Sequence, residues 1–562
     1  MREGSFFIFR GWSARLALIL SLLVSGSVYG ITFQVSDAGE FQAALATAAS
    51  TDSEDQILLG PGQYLGPFQV AFDNRKTLKI SSKNTGEEVS LSGESEIFIL
   101  SLDGGEHEVN VILEDIQFHN GYNPSFGGAI SFFSQSETSS LRIKNSSFLN
   151  NTAKRGGAIY SQAADVVVQN STFVGNKVTG TTGLYSGGAA IYVDKGALSV
   201  VQSSFENNDS TLSDFGGVIH SGVGLDTSFS LDNCSFFGNT GVLLSSVRSG
   251  SLSVINSTVA HQSFSILAAK DAQTILLRSN EFHCADCSEM LSHRQRFGNH
   301  PSVEIEISKN LLRGSGNIIM EFSVDYLKGP KITIVGNEIS FVNSSVEASE
   351  IELVGYDSLD FVNNTVLEGL VRLSPKFDGN QYTSLVNNIF SNSGGVTNQV
   401  SLEAFTRSDE ISHNLIQRFS KGWDIQKSND SSEPIFASIE QLDLKLVLDS
   451  PGIDAGDNDV VKDAEATDRD GSPRIVGSVV DIGAYERFTG SLHPADADGN
   501  SLISQAEFEA YNSAWRANEV WTTSPTVIPI DFVTRAGYLL QKGGAYKNIG
   551  VGKPQTWVPA NE

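Results

Sequence analysis

Between residues 112 and 240 one phrase keeps returning, and this repeat limits the possible folds more than anything else in the chain. Its fullest copy is Lys144-Asn145-Ser146-Ser147-Phe148-Leu149-Asn150-Asn151, followed by Arg155-Gly156-Gly157-Ala158-Ile159-Tyr160. Further copies place Phe118, Phe173, Phe205 and Phe236 at the position of Phe148. The paired glycines begin at 127, 156, 187 and 216, a period of 29, 31 and 29 residues. Self-similarity at such a spacing means a stack of supersecondary units, each burying its apolar face against the next.

Each unit holds short β-prone runs, such as Val166-Val167-Val168 and Leu198-Ser199-Val200-Val201, broken by Asn, Gly and Ser, with nothing at helical spacing. That content predicts one coil of a right-handed parallel β-helix per unit, with equivalent positions roughly 4.8 Å apart. The recurring phenylalanines are expected to form one inward column, each ring resting on the next. The asparagines two or three positions later suit turns, because Asn tolerates the left-handed region and bonds neighbouring backbone. The paired glycines allow positive φ and close approach of backbone. From about 240 to 430 the repeat decays without vanishing, as in Phe361-Val362-Asn363-Asn364 and Val386-Asn387-Asn388, so about a dozen coils and a rod of about 60 Å are expected.

The F-x-x-N and GGAI phrases resemble the repeats of the polymorphic outer-membrane proteins of chlamydiae and related bacterial β-helix proteins, over about five coils. The resemblance implies a pectin-lyase-like all-β solenoid and an association with adhesion, but no activity, since fold does not carry function. The chain has no terminal run of ten-residue alternating strands, so an autotransporter route is not expected.

Residues 1–30 have the pattern of a secretory signal peptide: Arg2, Arg10 and Arg15 precede the apolar run from Leu16 to Val24. No later stretch is long and apolar enough to span a bilayer, so an exported, extracellular or outer-surface protein is expected. A formal charge of −27 argues against nucleic acid as a partner, and three cysteines exclude a disulfide scaffold. Asp37 caps a helical stretch whose Phe41, Ala44, Leu45 and Ala48 share a face. This helix is expected to plug the N-terminal edge of a β-helix spanning 31–448, with Ile57-Leu58-Leu59 as the first strand.

Residues 449–487 contain Ser450-Pro451-Gly452-Ile453-Asp454-Ala455-Gly456-Asp457 and Asp481-Ile482-Gly483-Ala484-Tyr485-Glu486. They resemble the "SPAIDAGD…DIGAYE" signature that closes many exported bacterial β-helix proteins. Arg474 offers a fork donor that can bridge the carboxylates of Asp454, Asp481 and Glu486, so an ion-paired lock over the last coil is expected. Asp468 and Asp470 offer calcium as the other reading.

The region 488–562 contains Asp496-Ala497-Asp498-Gly499-Asn500-Ser501-Leu502-Ile503-Ser504-Gln505-Ala506-Glu507, which resembles an EF-hand loop. The resemblance implies calcium ligands from Asp496, Asp498, Asn500, the Leu502 carbonyl, Ser504 through water, and bidentate Glu507. Ser501 stands where the loop's sharp turn favours Gly, which weakens binding. An exiting helix presenting Phe508, Tyr511 and Trp515, a second helix over 531–541 and no entering helix make the small α-helical module resemble a dockerin, which implies one calcium ion and a protein partner.

His283-Cys284-Ala285-Asp286-Cys287 matches no zinc spacing, and a local disulfide or free pair is expected. No convergent catalytic carboxylates or basic residues stand out in the stack. The sequence therefore favours a β-helix that binds glycan, a cell surface or matrix without catalysis. A polysaccharide-active lyase or glycoside hydrolase on the same scaffold is the alternative.

Overall fold

A computed structural model describes residues 30–562 apart from 85, 163–164, 181–186, 212–216, 222–227, 248–249, 262–263, 271, 285–286, 296–302, 315–316, 323–329, 342–349, 376–380, 393–399, 403–409, 417–427, 448–449, 463–466, 472, 476–478, 488–492, 498–501, 523–524, 549–553 and 560–562. The signal-peptide pattern therefore lies almost wholly outside the described residues.

Among the described residues the body is three long parallel sheets of 15, 14 and 13 strands, slightly more than the dozen coils expected. The first sheet begins Thr32–Val35, Asp55–Leu59, Lys76–Ser82, the second Gly62–Leu65, Val89–Ser92, Gln117–His119, and the third Phe68–Ala71, Leu100–Asp103, Ile130–Phe133. The first described strand is thus Thr32–Val35, one strand before the expected Ile57-Leu58-Leu59. Each coil adds a strand to each sheet, so side chains alternate between a dry interior and the outside. Val109–Glu114, for example, alternates buried and half-buried along its length.

The expected phenylalanine column is present. Phe118, Phe148, Phe173, Phe205 and Phe236 stack with centroids 5.0, 4.7, 4.8 and 4.7 Å apart and planes within 8° of parallel. In-register pairing sets this geometry, because each ring inherits the strand spacing.

Two further buried columns are polar. After each Phe, Asn151, Asn176, Asn208 and Asn239 point inward, and each Nδ2 donates to Oδ1 of the next at 2.9–3.0 Å. Their neighbours Asn150 and Asn207 take the left-handed conformation. So of the asparagines read as turn residues, one kind makes the bend and the other fills it. The second column lies where the first sheet bends into the second. It runs Ser146, Ser171, Ser203, then Ser257, and continues as Asn280, Asn310, Asn337, Asn364, Asn388 and Asn414.

The glycine pairs divide their labour. Gly127 and Gly156 have φ of 56° and 63°, while a Cβ on Gly157 would sit 2.2 Å from the Ala189 carbonyl oxygen. These pairs lie in coils that carry a small additional sheet, Tyr122–Phe126, Thr152–Arg155 and Lys177–Val178.

Helix α1, Ala38–Ala49, covers the N-terminal edge as expected. The Asp37 side chain accepts from Glu40 N–H at 2.9 Å, and Phe41 packs on Phe68 at 4.6 Å between centroids. In the C-terminal module, α2 (Gln505–Ala517) and α3 (Ile530–Gln541) enclose a separate core of Tyr511, Phe532, Ala536, Leu539 and Trp557. Phe532, Val533, Ala536 and Leu539 are the buried residues of α3.

Candidate functional site

The bend between the first and second sheets has a fixed backbone that decides what it shows to solvent. One residue per coil is left-handed there: Asp115, Asn145, Asn170, Gln202, Asn233 and Asn256 have φ between 49° and 56°. The residue after it turns inward to build the Ser/Asn column, and the one after that opens the next strand facing outward. Amide side chains therefore line up along the bend, with Ser147, Thr172, Ser204, Ser235 and Thr258 in register beside them.

These two rows form the sides of an open trough. One stretch of ≈ 640 Å³ runs from Lys144 and Asn145 to Asn256 and Thr258. A second, of ≈ 520 Å³, shares Asn145, Asn170 and Thr172 with it and extends to Glu87, Glu88 and Asp115. Together they cross seven neighbouring strands of the second sheet, from Val89–Ser92 to Thr258–His261, about 29 Å at the usual strand spacing. The amides are held by each other: Asn170 Nδ2 donates to Asn145 Oδ1 at 2.8 Å, and Asn145 Nδ2 to Asp115 Oδ1 at 3.1 Å. Lys144 is the one charged residue lining the larger stretch. Near its end Phe237 faces outward from the same strand as Ser235 and is 65% exposed. The trough is thus a run of fixed hydrogen-bond donors and acceptors, mostly uncharged. Sequence reasoning passed over these residues as turn formers. The signal that could have found them is the Ser/Thr recurring two positions after each bend residue.

Beyond Thr258 the same bend is covered by the chain itself. Gly483 N–H donates to the Asn387 carbonyl and Ala484 N–H to Thr365 Oγ1, both near 2.9 Å; Tyr485 Oη bonds Glu338, Lys309 Nζ donates to Thr467 Oγ1 at 2.6 Å, and Arg469 lies 3.6 Å from Glu281. The closing segment therefore lies along the outside of the later coils and is not confined to the last one. Toward the last coils it also covers apolar side chains: Leu367, Ile389 and Leu415 form a small core with Phe436, Leu444, Leu446 and Ile482.

Asp454, Arg474, Asp481 and Glu486 do come together in that segment, but chiefly through backbone. Arg474 donates to the carbonyls of Asp481 and Gly483, with Glu486 at 4.0 Å. Asp481 accepts from the N–H groups of Asp454 at 2.7 Å and Arg487 at 2.6 Å, and burial pushes its carboxyl up to about 6. Asp468 accepts from Asp470 and Glu486 N–H, and Asp470 pairs with Lys445 at 2.6 Å.

Of the calcium-loop residues, Asp498 and Asn500 lie outside the described residues. Asp496 is buried and accepts from Tyr546 Oη at 2.6 Å. Ser504 caps α2, and Glu507 accepts from Ser504 N–H and Oγ through Oε2 and from Ala497 N–H through Oε1, at 2.8–2.9 Å. The residue at Leu502 forms an isolated antiparallel bridge to Ala545, and Ile503 N–H donates to Gly544. Among the described residues no group of three or more His, Cys, Asp or Glu is arranged to hold a metal.

Two other constellations are not open sites. Cys284 and Cys287 are joined by a disulfide. Tyr160, Tyr192 and His220 stack on the outside of the third sheet but are at most 2% exposed, and burial lowers the His220 imidazole to about 3, leaving it neutral.

Residues 145–162 match the family model of the Chlamydia polymorphic membrane protein repeat. No curated protein matches the chain. Among solved structures, a mutant of the PL6 family alginate lyase AlyGC aligns at 13% identity over 75% of this chain and 57% of its own, with a TM-score of 0.37. This chain thus spans little more than half of that protein's length. A mannuronic acid-specific polysaccharide family 6 lyase from human gut microbiota aligns at 13% identity over 61% and 86%, TM-score 0.28, and a rhamnogalacturonan lyase at 11% over 68% and 87%, TM-score 0.27. No helix among the described residues is long and apolar enough to cross a membrane.

Proposed function

We propose that this protein is an exported, surface-located β-solenoid that binds a hydroxyl-rich polysaccharide lengthwise in the trough, without cleaving it. One contrast carries the reading. Along a single bend, the later coils are covered by the closing segment, which bonds their polar side chains and packs on Leu367, Ile389 and Leu415, whereas the earlier coils bear Asn, Gln, Ser and Thr and are left open. A ligand complementary to that open face offers hydroxyls to fixed amides and a sugar face to the exposed Phe237 ring. The signal-peptide pattern and the membrane-protein repeat match support placement at a cell surface.

The test is binding of the full chain to a panel of immobilised neutral and acidic polysaccharides, beside a Thr172→Arg, Ser204→Arg variant. Both positions face outward, so the fold is kept while the trough is filled. Capture of one glycan class, weakened at least tenfold in the variant, supports the reading, and equal capture by both proteins overturns it. Release of shortened or unsaturated products from the captured glycan would establish the polysaccharide-active enzyme instead.

The C-terminal module carries a second, separate proposal: it binds one calcium ion through the 496–507 loop and offers a calcium-dependent face to a protein partner. The observation favouring it is that Glu507, the twelfth loop position, is already bonded back to Ala497, the second. A bidentate ligand at the loop's end must reach its beginning in the same way.

A further inference from the structure

We infer that the trough is closed at one end by the protein's own closing segment, so that a bound glycan inserts a chain end rather than lying across the coil stack by its middle; this rests on the glycan reading above. The open stretch ends at Asn256 and Thr258. On the adjacent coil, the residue in register with Thr258 is Glu281, whose half-exposed carboxylate lies 3.6 Å from the largely buried Arg469 of the closing segment. The closing segment then stays on the same bend through Lys309, Glu338, Thr365 and Asn387, one coil after another. A ligand following the bend therefore meets the Glu281–Arg469 pair directly after Thr258, and the polar groups beyond it are already bonded to the closing segment. The covered continuation is packed with Ile389, Leu415 and Ile482, which a sugar chain would displace only by exposing them.

A closed end makes capacity depend on how many chain ends a glycan has, and an open channel makes it depend on mass. The experiment uses the full chain and whichever polymer of the panel it captures, cut randomly to graded lengths at constant total mass. Capacity rising in proportion to the number of ends is expected. With purified oligosaccharides of the same glycan, affinity should climb with length and level off once the extended ligand exceeds about 29 Å, the seven-strand span. A Thr258→Tyr variant, filling the position against the wall, should weaken binding at least tenfold. Capacity that follows mass and ignores the number of ends, or a Thr258→Tyr variant with unchanged affinity, overturns the closed end while leaving the trough as the glycan site. Capture by neither the parent chain nor the variant removes the glycan reading and this inference with it.

Discussion

The side-chain oxygen of Asn208 accepts two hydrogen bonds from Asn176, one from its backbone N–H and one from its Nδ2, both at 3.0 Å. Asn208 Nδ2 in turn donates to the Phe173 carbonyl and to Asn239. Both asparagines are fully buried, so no water replaces a lost partner. Asn208→Ala strands at least two donors and a carbonyl, and should cost about 4 kcal/mol, at roughly 1–3 kcal/mol per unsatisfied group. Asn170→Gly, at an exposed left-handed bend, should stay within about 1 kcal/mol. Urea midpoints of the two variants, with unchanged far-UV signal before the transition, check the contrast.

Phe173 sits in the middle of the aromatic column, with Phe148 at 4.7 Å on one side and Phe205 at 4.8 Å on the other. Phe173→Ala removes a wholly buried ring and both stacks, so a loss of about 4 kcal/mol is expected. Phe236→Ala, ending the column, breaks one stack within it and should cost less. Equal midpoints for the two variants would show that stacking adds nothing beyond burial.

Two carboxylates give the stability profile opposite slopes. Asp209 is partly desolvated, yet hydrogen bonds from Thr211, Lys177 and Thr240 hold it down at about 2. Its stabilisation is complete above its ordinary value of 3.8 and lost as pH falls toward 2. Asp481 is raised by burial to about 6, so the native state holds its proton more tightly and stability from this group falls as pH rises from 3.8 to 6. Asp481→Asn abolishes that titration. The melting temperature of wild type relative to this variant should therefore fall as pH is raised from about 4 to 6; a constant difference refutes the assignment.

The stack was legible because a column repeats its residue: Phe at each turn of the helix can mean only a shared environment, and the same holds for the glycine pairs and the Asp37-capped helix. The trough was not, since Asn145 and Asn151 look alike in sequence while one faces solvent and the other the core. Which of them does so depends on where the left-handed residue falls, and at the bend between the first and second sheets Gln202, Ser279 and Lys309 fill that place as well as Asn does. The course of the closing segment was hidden for a different reason. Its anchors join residues such as Lys309 and Thr467, or Glu338 and Tyr485, far apart in the chain and without a shared pattern.

The calcium loop offers a test that separates ligand loss from fold loss. Glu507 has two tasks: it closes the capping box of α2 with Ser504, and in the proposed site it supplies two oxygens to the ion. Glu507→Gln keeps an acceptor for the Ser504 N–H and removes the charge, so α2 should persist while calcium affinity drops at least tenfold. Tyr546→Phe acts from the other side. The Tyr546 hydroxyl accepts from His493 N–H and donates to Asp496, holding the first loop carboxylate in place. Losing it frees Asp496 to reorient and should weaken calcium severalfold, with melting of the calcium-free protein lowered by the same variant. Calorimetric titration of calcium into the full chain should give one site in wild type. Titration without heat, together with no calcium-dependent rise in melting temperature, would leave Glu507 a helix cap and nothing more.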